Sequence, residues 1–306
     1  MSEIRDVIII GAGPAGLTAG LYTCRARLNT LMIEKETIGG ELMNRDLIEN
    51  YPGYPGGVSG PELGSRMMTQ TMDFGGEIQI AEVEGIELDG NYRIIKSTQE
   101  QYLSKAIIFS GGARPKKLGV PGEAKFTNKG VFYCATCDGP RFADRVVAVA
   151  GAGDSGITEA LFLTQLVAKV IVIETLPQPT ACKILQERAF SNPKIEVRCD
   201  TRIEAICGDE QVKGLALADI KTGKRSTLEV EGVLVHVGLD PNTGYLKDVI
   251  RLDEKGQIFV NERMETQIPG VFAAGDVRHN SPMQIASAVG DGATAALSLE
   301  RYLKTL

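Results

Sequence analysis

Residues 6–34 read DVIIIGAGPAGLTAGLYTCRARLNTLMIE, and this stretch decides the fold class. Asp6-Val-Ile-Ile-Ile10 is a short β-branched run of the kind buried on both faces of a parallel sheet. It enters Gly11-Ala-Gly13-Pro14-Ala15-Gly16, then Leu17–Tyr22 at helical spacing, then a second apolar strand, Thr30–Ile33, that ends in Glu34. Each part of this strand, turn, helix, strand and acid has a physical task. Gly11 permits the tight turn, Gly13 lets backbone approach a pyrophosphate, and Gly16 lets helix pack closely on strand. The helix N-terminus faces the phosphate charge, and Glu34 is placed to accept from ribose hydroxyls. The pattern reads as a dinucleotide site.

The pattern recurs at residues 145–174, RVVAVAGAGDSGITEALFLTQLVAKVIVIE. A strand to Ala150 meets a second glycine turn, a helical stretch covers Ile157–Leu166, and the strand Lys169–Ile173 ends in Glu174. The acid follows the first glycine at the same distance in both copies, since 34 − 11 and 174 − 151 are both 23. The second copy makes Gly151, Gly153, Asp154, Ser155, Gly156 and Glu174 candidate nucleotide contacts. A duplicated fold whose second copy binds nothing is the alternative, because fold does not fix function.

Between the copies, Glu77–Leu88, Tyr92–Ser97 and Tyr102–Phe109 read as strands. Gly111-Gly112 and Pro115 then mark a break, which places a linker near residues 113–118. Alternating strands run to about Val237, and the Gly238–Thr243 stretch reads as the return linker. The remainder, with Val271-Phe-Ala-Ala-Gly275-Asp276 and a helical run from about Met283 to Tyr302, has no nucleotide turn of its own. It should rejoin the first domain. The expected fold is therefore α/β, with two Rossmann-like, three-layer ββα nucleotide-binding domains, one inserted into the other. Residues 1–114 and 245–306 would form the first domain and 115–244 the inserted one, free to turn as a rigid body about its two linkers.

Composition narrows the function classes. A chain of 306 residues with 43% hydrophobic and 24% charged residues is an ordinary globular protein of about two domains. A net charge of −6 argues against wholesale nucleic-acid binding. With no apolar run of membrane-spanning length and no signal-like segment at Met1, no membrane association and a cytoplasmic address are expected. Of the six cysteines, Cys24, Cys182, Cys199 and Cys207 are scattered and expected to be small buried hydrophobes. Cys134 and Cys137 stand three apart. With only His236 and His279 in the chain, and neither beside a cysteine pair, a four-ligand zinc site is hard to assemble. No metal is expected, and a redox reading of the pair is preferred.

Taken in order, Gly11–Gly16, Glu49-Asn-Tyr-Pro-Gly53, Cys134-Ala-Thr-Cys-Asp-Gly139, Gly151–Ser155 and Gly275-Asp276 resemble the low-molecular-weight thioredoxin reductases. The resemblance covers essentially the whole chain, and the Cys-Ala-Thr-Cys-Asp-Gly element is its most specific part. It implies a homodimeric FAD enzyme of cell redox homeostasis that passes electrons through the cysteine pair to thioredoxin. It further implies that Cys137 faces the flavin, that Cys134 attacks the thioredoxin disulfide and that Asp138 exchanges protons. For FAD, it places Gly11, Gly13, Pro14, Ala15 and Gly16 at the pyrophosphate and Glu34 with Lys35 at the ribose. Gly39, Gly40, Glu41 and Leu42 match the loop beside the isoalloxazine, with Glu41 where Gln is usual. Asn50 and Gly112 join the flavin contacts, and the Val83 backbone would meet adenine. Asp276 would hold the ribityl chain, while Gln284 and Ile285 start a last helix whose dipole stabilises charge on reduced flavin. Met283 stands where Arg is common.

The electron donor is where the chain departs from its family. NADPH-dependent members carry a basic cluster after the second acid-tipped strand, whereas Glu174-Thr-Leu-Pro-Gln-Pro-Thr180 has no cation. Glu174 would face a 2′-phosphate with like charge but suits the free hydroxyls of NADH. NADPH is thus the least favoured donor, leaving NADH or a nicotinamide-independent reductant such as ferredoxin or a deazaflavin. A flavin-dependent dithiol oxidase or a peroxiredoxin-linked disulfide reductase would use the same pair. The second of these usually carries an added N-terminal redox module, which this chain is expected to lack.

Overall fold

A computed structural model describes residues 3–246 and 248–306. The chain divides into two compact units, Met1–Arg114 with Asp240–Leu306, and Pro115–Leu239. Both contain the acid-tipped strand pattern at the centre of a sheet, so the fold is α/β with two Rossmann-like domains.

In the outer unit the strand Ile4–Ile10 lies between Thr30–Glu34 and Gln101–Phe109, parallel to both. The free edge of Gln101–Phe109 is then divided between two partners. Residues 101–104 take the antiparallel strand Tyr92–Ser97, and 107–109 take Val271–Ala273 in parallel. Side chains alternate across the sheet as period two requires. Val7 and Ile9 pack towards the helices with Leu17, Ala295 and Leu299, while Ile8 and Ile10 pack with Ile86, Ile95 and Leu246. Full burial of each such side chain is worth about 1.5–3 kcal/mol.

The inserted unit repeats this logic in five parallel strands, with Val146–Ala150 between Lys169–Ile173 and Gly232–Val235. Val147 and Val149 face the helices Asp154–Leu163 and Lys183–Ser191. Ala148 and Ala150 face a three-stranded antiparallel sheet of residues 201–208, 212–219 and 225–229. The second helix stops at Leu163, capped by Thr164, three residues short of the expected Leu166.

Two further expectations need correction. The run 77–88 is two strands, Glu77–Ile80 and Val83–Asp89. The first pairs in parallel with Thr30–Glu34 and the second antiparallel with Tyr92–Ser97, so the chain must turn at Ala81–Glu82 to change partners. The return crossing lies at Leu239/Asp240 rather than 244/245. Residues beyond it are tied into the outer unit: Asn242 N–H donates to Gly112 O at 3.0 Å and Thr243 Oγ1 to Gly256 O at 2.6 Å. The two crossings, Ala113–Pro115 and Leu239–Pro241, pair as a two-stranded ribbon. Among the described residues no helix is long and apolar enough to cross a membrane.

Candidate active site

The first glycine turn is built to leave backbone bare. Gly11 has φ +100°, and a Cβ there would run into the Ser110 carbonyl. A Cβ on Gly16 would meet Gly11 O, which explains the close seating of helix Pro14–Arg25 on its strand. At Gly13, by contrast, the nearest atom to an added Cβ is Gly39 O at 4.0 Å. Gly39 and Gly40 fold over the turn, with Gly39 N–H donating to Ala12 O at 2.8 Å. The helix has no side-chain cap and no acid in its first turn. Leu17 N–H already donates to Gly13 O at 2.9 Å, which leaves the first-turn N–H groups of Ala15 and Gly16 to meet an anion. This cradle fits a pyrophosphate.

Glu34 accepts from Ala12 N–H at 2.8 Å and from Glu36 N–H at 3.0 Å. It thus pins its own glycine turn, while carboxylate lone pairs remain for a ribose. Lys35 is exposed and bonded to Glu82 at 2.9 Å, and Ala81 N–H donates to Glu34 O, which brings Val83 to the same sheet end. Gly112 has φ +62°, with open space where its Cβ would be. Leu42 is buried beneath an exposed Glu41. Asn50 Nδ2 donates to Gln284 Oε1 at 3.0 Å, joining two candidates 234 positions apart. Gln284 caps the last helix, Ile285–Leu303, whose N-terminus also lacks a side-chain cap hydrogen bond and a first-turn acid. Met283, at φ +54°, lies outside that helix.

Burial pushes the Asp276 carboxyl up, and the charges of Asp291 and Glu41 add to this, against a hydrogen bond from Ser281 and the charge of Arg278. Behind it lies a pair that no motif announced. Arg278 Nε and Nη2 reach both oxygens of Asp291 at 2.7 and 3.1 Å, and Gly275 N–H donates to the same carboxylate. This pair fixes the turn that presents Asp276. Asp291→Ala would leave the half-buried Arg278 charge without its carboxylate, so we expect a loss of about 2–3 kcal/mol, below that of a fully buried pair, read as a lower urea midpoint. Only a sequence signal as thin as Asp-Val-Arg could have pointed to it.

In the inserted unit, Cys134 and Cys137 form a disulfide in the short helical turn Ala135–Asp138. Cys134 is half-buried and Cys137 exposed. Asp138 is half-buried and bonded to Arg141 at 3.2 Å. The residue before the pair is held by Tyr133 Oη donating to buried Glu123 at 2.7 Å, and burial, with that carboxylate, pushes the Tyr133 phenol up to about 12. The residue after Cys134 is held too: Ala135 N–H donates to buried Glu159 at 2.9 Å. The turn is therefore clamped on both sides while its sulfurs stay reachable. Such a pair can exchange two electrons with another dithiol.

A fused pair of glycine turns with a short-spaced disulfide is matched by known proteins. A model of the pyridine nucleotide-disulphide oxidoreductase family covers residues 5–292. The chain belongs to this family. It is 40% identical over 310 aligned positions to a thioredoxin reductase of Bacillus subtilis, covering 100% of this chain and 98% of that protein. A Lactococcus lactis thioredoxin reductase structure superposes with TM-score 0.97 at 39% identity, over 99% and 100% of the two chains. A ferredoxin-flavin thioredoxin reductase of Clostridium acetobutylicum superposes with TM-score 0.56 at 29% identity, over the full length of both.

The second glycine turn of this disulphide oxidoreductase matches the first. Gly151 has φ +103° against the His236 carbonyl, Gly156 packs on Gly151 O, and a Cβ on Gly153 would meet only Thr180 Oγ1, at 3.6 Å. Glu174 accepts from Ala152 N–H at 2.8 Å and Leu176 N–H at 3.0 Å, as Glu34 does in its own unit. The differences are electrostatic. Asp154 begins the helix, its Oδ1 taken by Cys182 N–H at 2.7 Å, with Ser155 next in the same exposed first turn. Beyond Glu174 stands Asp200, which holds Lys221 at 2.6 Å. Burial pushes the Cys199 thiol up, and the Glu174 and Asp200 charges push the same way. The expectation that the four scattered cysteines are buried holds for Cys24 alone. Cys199 is half-buried; Cys182 caps the helix Lys183–Ser191 at a loop exit and Cys207 lies at a strand irregularity, so both are exposed.

Proposed function

We propose that this oxidoreductase is a thioredoxin reductase that binds FAD in the outer unit and works through Cys134 and Cys137. The observation that carries the reading is the disulfide itself, clamped by Glu123 and Glu159 yet exposed at Cys137. Similarity to thioredoxin reductases over the whole chain supports thioredoxin as the acceptor. When bound, FAD supplies the two-electron chemistry. The chain contributes binding through the bare turn of Gly11–Gly16 and through Asp276, whose protonation is favoured by burial. Reduction opens the Cys134–Cys137 bond; Cys134 then attacks the thioredoxin disulfide, and Cys137 closes on it to release the reduced partner. Asp138, beside the sulfurs, supplies or accepts the proton.

We assign the donor as NADH or a nicotinamide-independent reductant, with NADPH disfavoured. Glu174 and Asp200 both carry negative charge to the place a 2′-phosphate would occupy, and the one nearby lysine named above is already held. Similarity to a ferredoxin-flavin thioredoxin reductase supports keeping a protein donor as the second reading. A homodimer in the cytoplasm completes the proposal. The purified protein should be yellow, with one FAD per chain by absorbance after heat release. A folded, colourless preparation that takes up no added FAD would exclude the assignment.

A further inference from the structure

Beneath the redox turn sits a buried carboxylate that the proposed chemistry does not use. Glu159, on the helix Asp154–Leu163, is 6% exposed. Its Oε2 accepts the N–H of Ala135 at 2.9 Å and lies 3.9 Å from Nε2 of His236, whose side chain is 8% exposed just after the central strand Gly232–Val235. Ala135 is the first residue of the turn that Cys134 caps, and Cys137 N–H points at Cys134 Sγ at 3.2 Å. A thiolate forming on Cys134 would draw on the N–H groups at this end of the turn. Glu159 has already taken one of them and sets a negative charge behind it.

We propose that Glu159 is a positioning residue that sets the reduction potential of the Cys134/Cys137 couple. The sign follows from the thiolate. Stabilising a thiolate stabilises the reduced form and makes a couple more oxidising. A buried carboxylate next to the turn does the reverse, holding the pair reducing enough to pass electrons outward. Asp138 and Arg141, bonded to each other, and Glu123, reached through Tyr133, also bring charge to the turn. The inference rests on the reading of Cys134 and Cys137 as the redox pair.

The test equilibrates the holoenzyme with glutathione, in which two glutathione thiols reduce the disulfide to two cysteine thiols and leave one glutathione disulfide. Alkylation and mass measurement of the Cys134–Cys137 peptide then count reduced and oxidised forms. Glu159→Gln keeps the size and an acceptor for Ala135 N–H but removes the charge. We expect the equilibrium to move about tenfold towards the dithiol, which is about 30 mV for two electrons. A shift below twofold overturns the proposal, because it would reduce Glu159 to a hydrogen-bond acceptor. Should that variant fail to fold, Glu159→Asp draws the carboxylate one methylene back from the turn and should move the equilibrium at least twofold towards the dithiol. No shift, or one towards the disulfide, overturns the proposal equally. Glutathione equilibrium needs no thioredoxin, so failure here and failure of the acceptor assignment are distinguishable.

Discussion

Cys134→Ser and Cys137→Ser should each lower thioredoxin reduction by roughly three orders of magnitude or more, the scale seen when one member of a catalytic unit is lost. Bleaching of the flavin by dithionite should be untouched, since the glycine cradle and Asp276 belong to the outer unit. Both variants should also fold. The turn keeps its clamps, because Tyr133–Glu123 and Ala135–Glu159 involve neither sulfur. An insulin-coupled thioredoxin assay, run beside an anaerobic absorbance titration, separates the two readouts. Near-normal turnover in either variant would remove the pair from its role.

The second large effect concerns the donor. NADPH should bleach the flavin at least tenfold more slowly than NADH in an anaerobic titration, because residues 174–180 carry no cation to offset the charge of Glu174. Exchanging Glu174-Thr-Leu for His-Arg-Arg should raise NADPH use more than tenfold, each charge-assisted phosphate contact being worth roughly 1.5–3 kcal/mol. Leu176 is 48% exposed and Thr175 also exposed, so two arginines have room. The exchange carries a cost, since Glu174 also holds Ala152 and Leu176 N–H groups. A double variant, Thr175→Arg with Leu176→Arg, keeps that pin and should fold better with a smaller gain. If wild type oxidises NADPH faster than NADH, the electrostatic reading fails. If neither nucleotide bleaches the flavin and the exchange restores nothing, a protein or other small reductant is the donor.

What the sequence disclosed was local. The strands Ile4–Ile10 and Val146–Ala150, their glycine turns and their acids are contiguous, and period and spacing suffice to read them. The cysteine spacing is equally local. What stayed hidden depends on chain that returns from far away. Asn50 meets Gln284 through no pattern linking them, and the Arg278–Asp291 pair joins residues with no shared motif. The break at Ala81–Glu82 carries neither Gly nor Pro, because it is imposed by a change of strand partner. Glu159 reads as one more polar residue of an amphipathic helix until Ala135 N–H is seen to point at it. The crossing at Leu239/Asp240 falls inside the Gly238–Thr243 stretch, which looks like loop throughout, while its second half is bonded into the outer unit.

The ribbon formed by the two crossings has a consequence for how such a chain can change. Lys116 N–H donates to Gly238 O at 2.9 Å and Asn242 N–H to Gly112 O at 3.0 Å, so the inserted stretch leaves and returns at adjacent points. Its two ends, and the two ends of the gap it fills, are each already close in space. Closing either over a short bridge costs little chain entropy. In genetic terms the stretch is a cassette. Two cuts, at 114/115 and 239/240, would trade it between relatives, carrying disulfide, Glu159 and the 174–180 loop together while the seven-stranded host sheet keeps its strand neighbours.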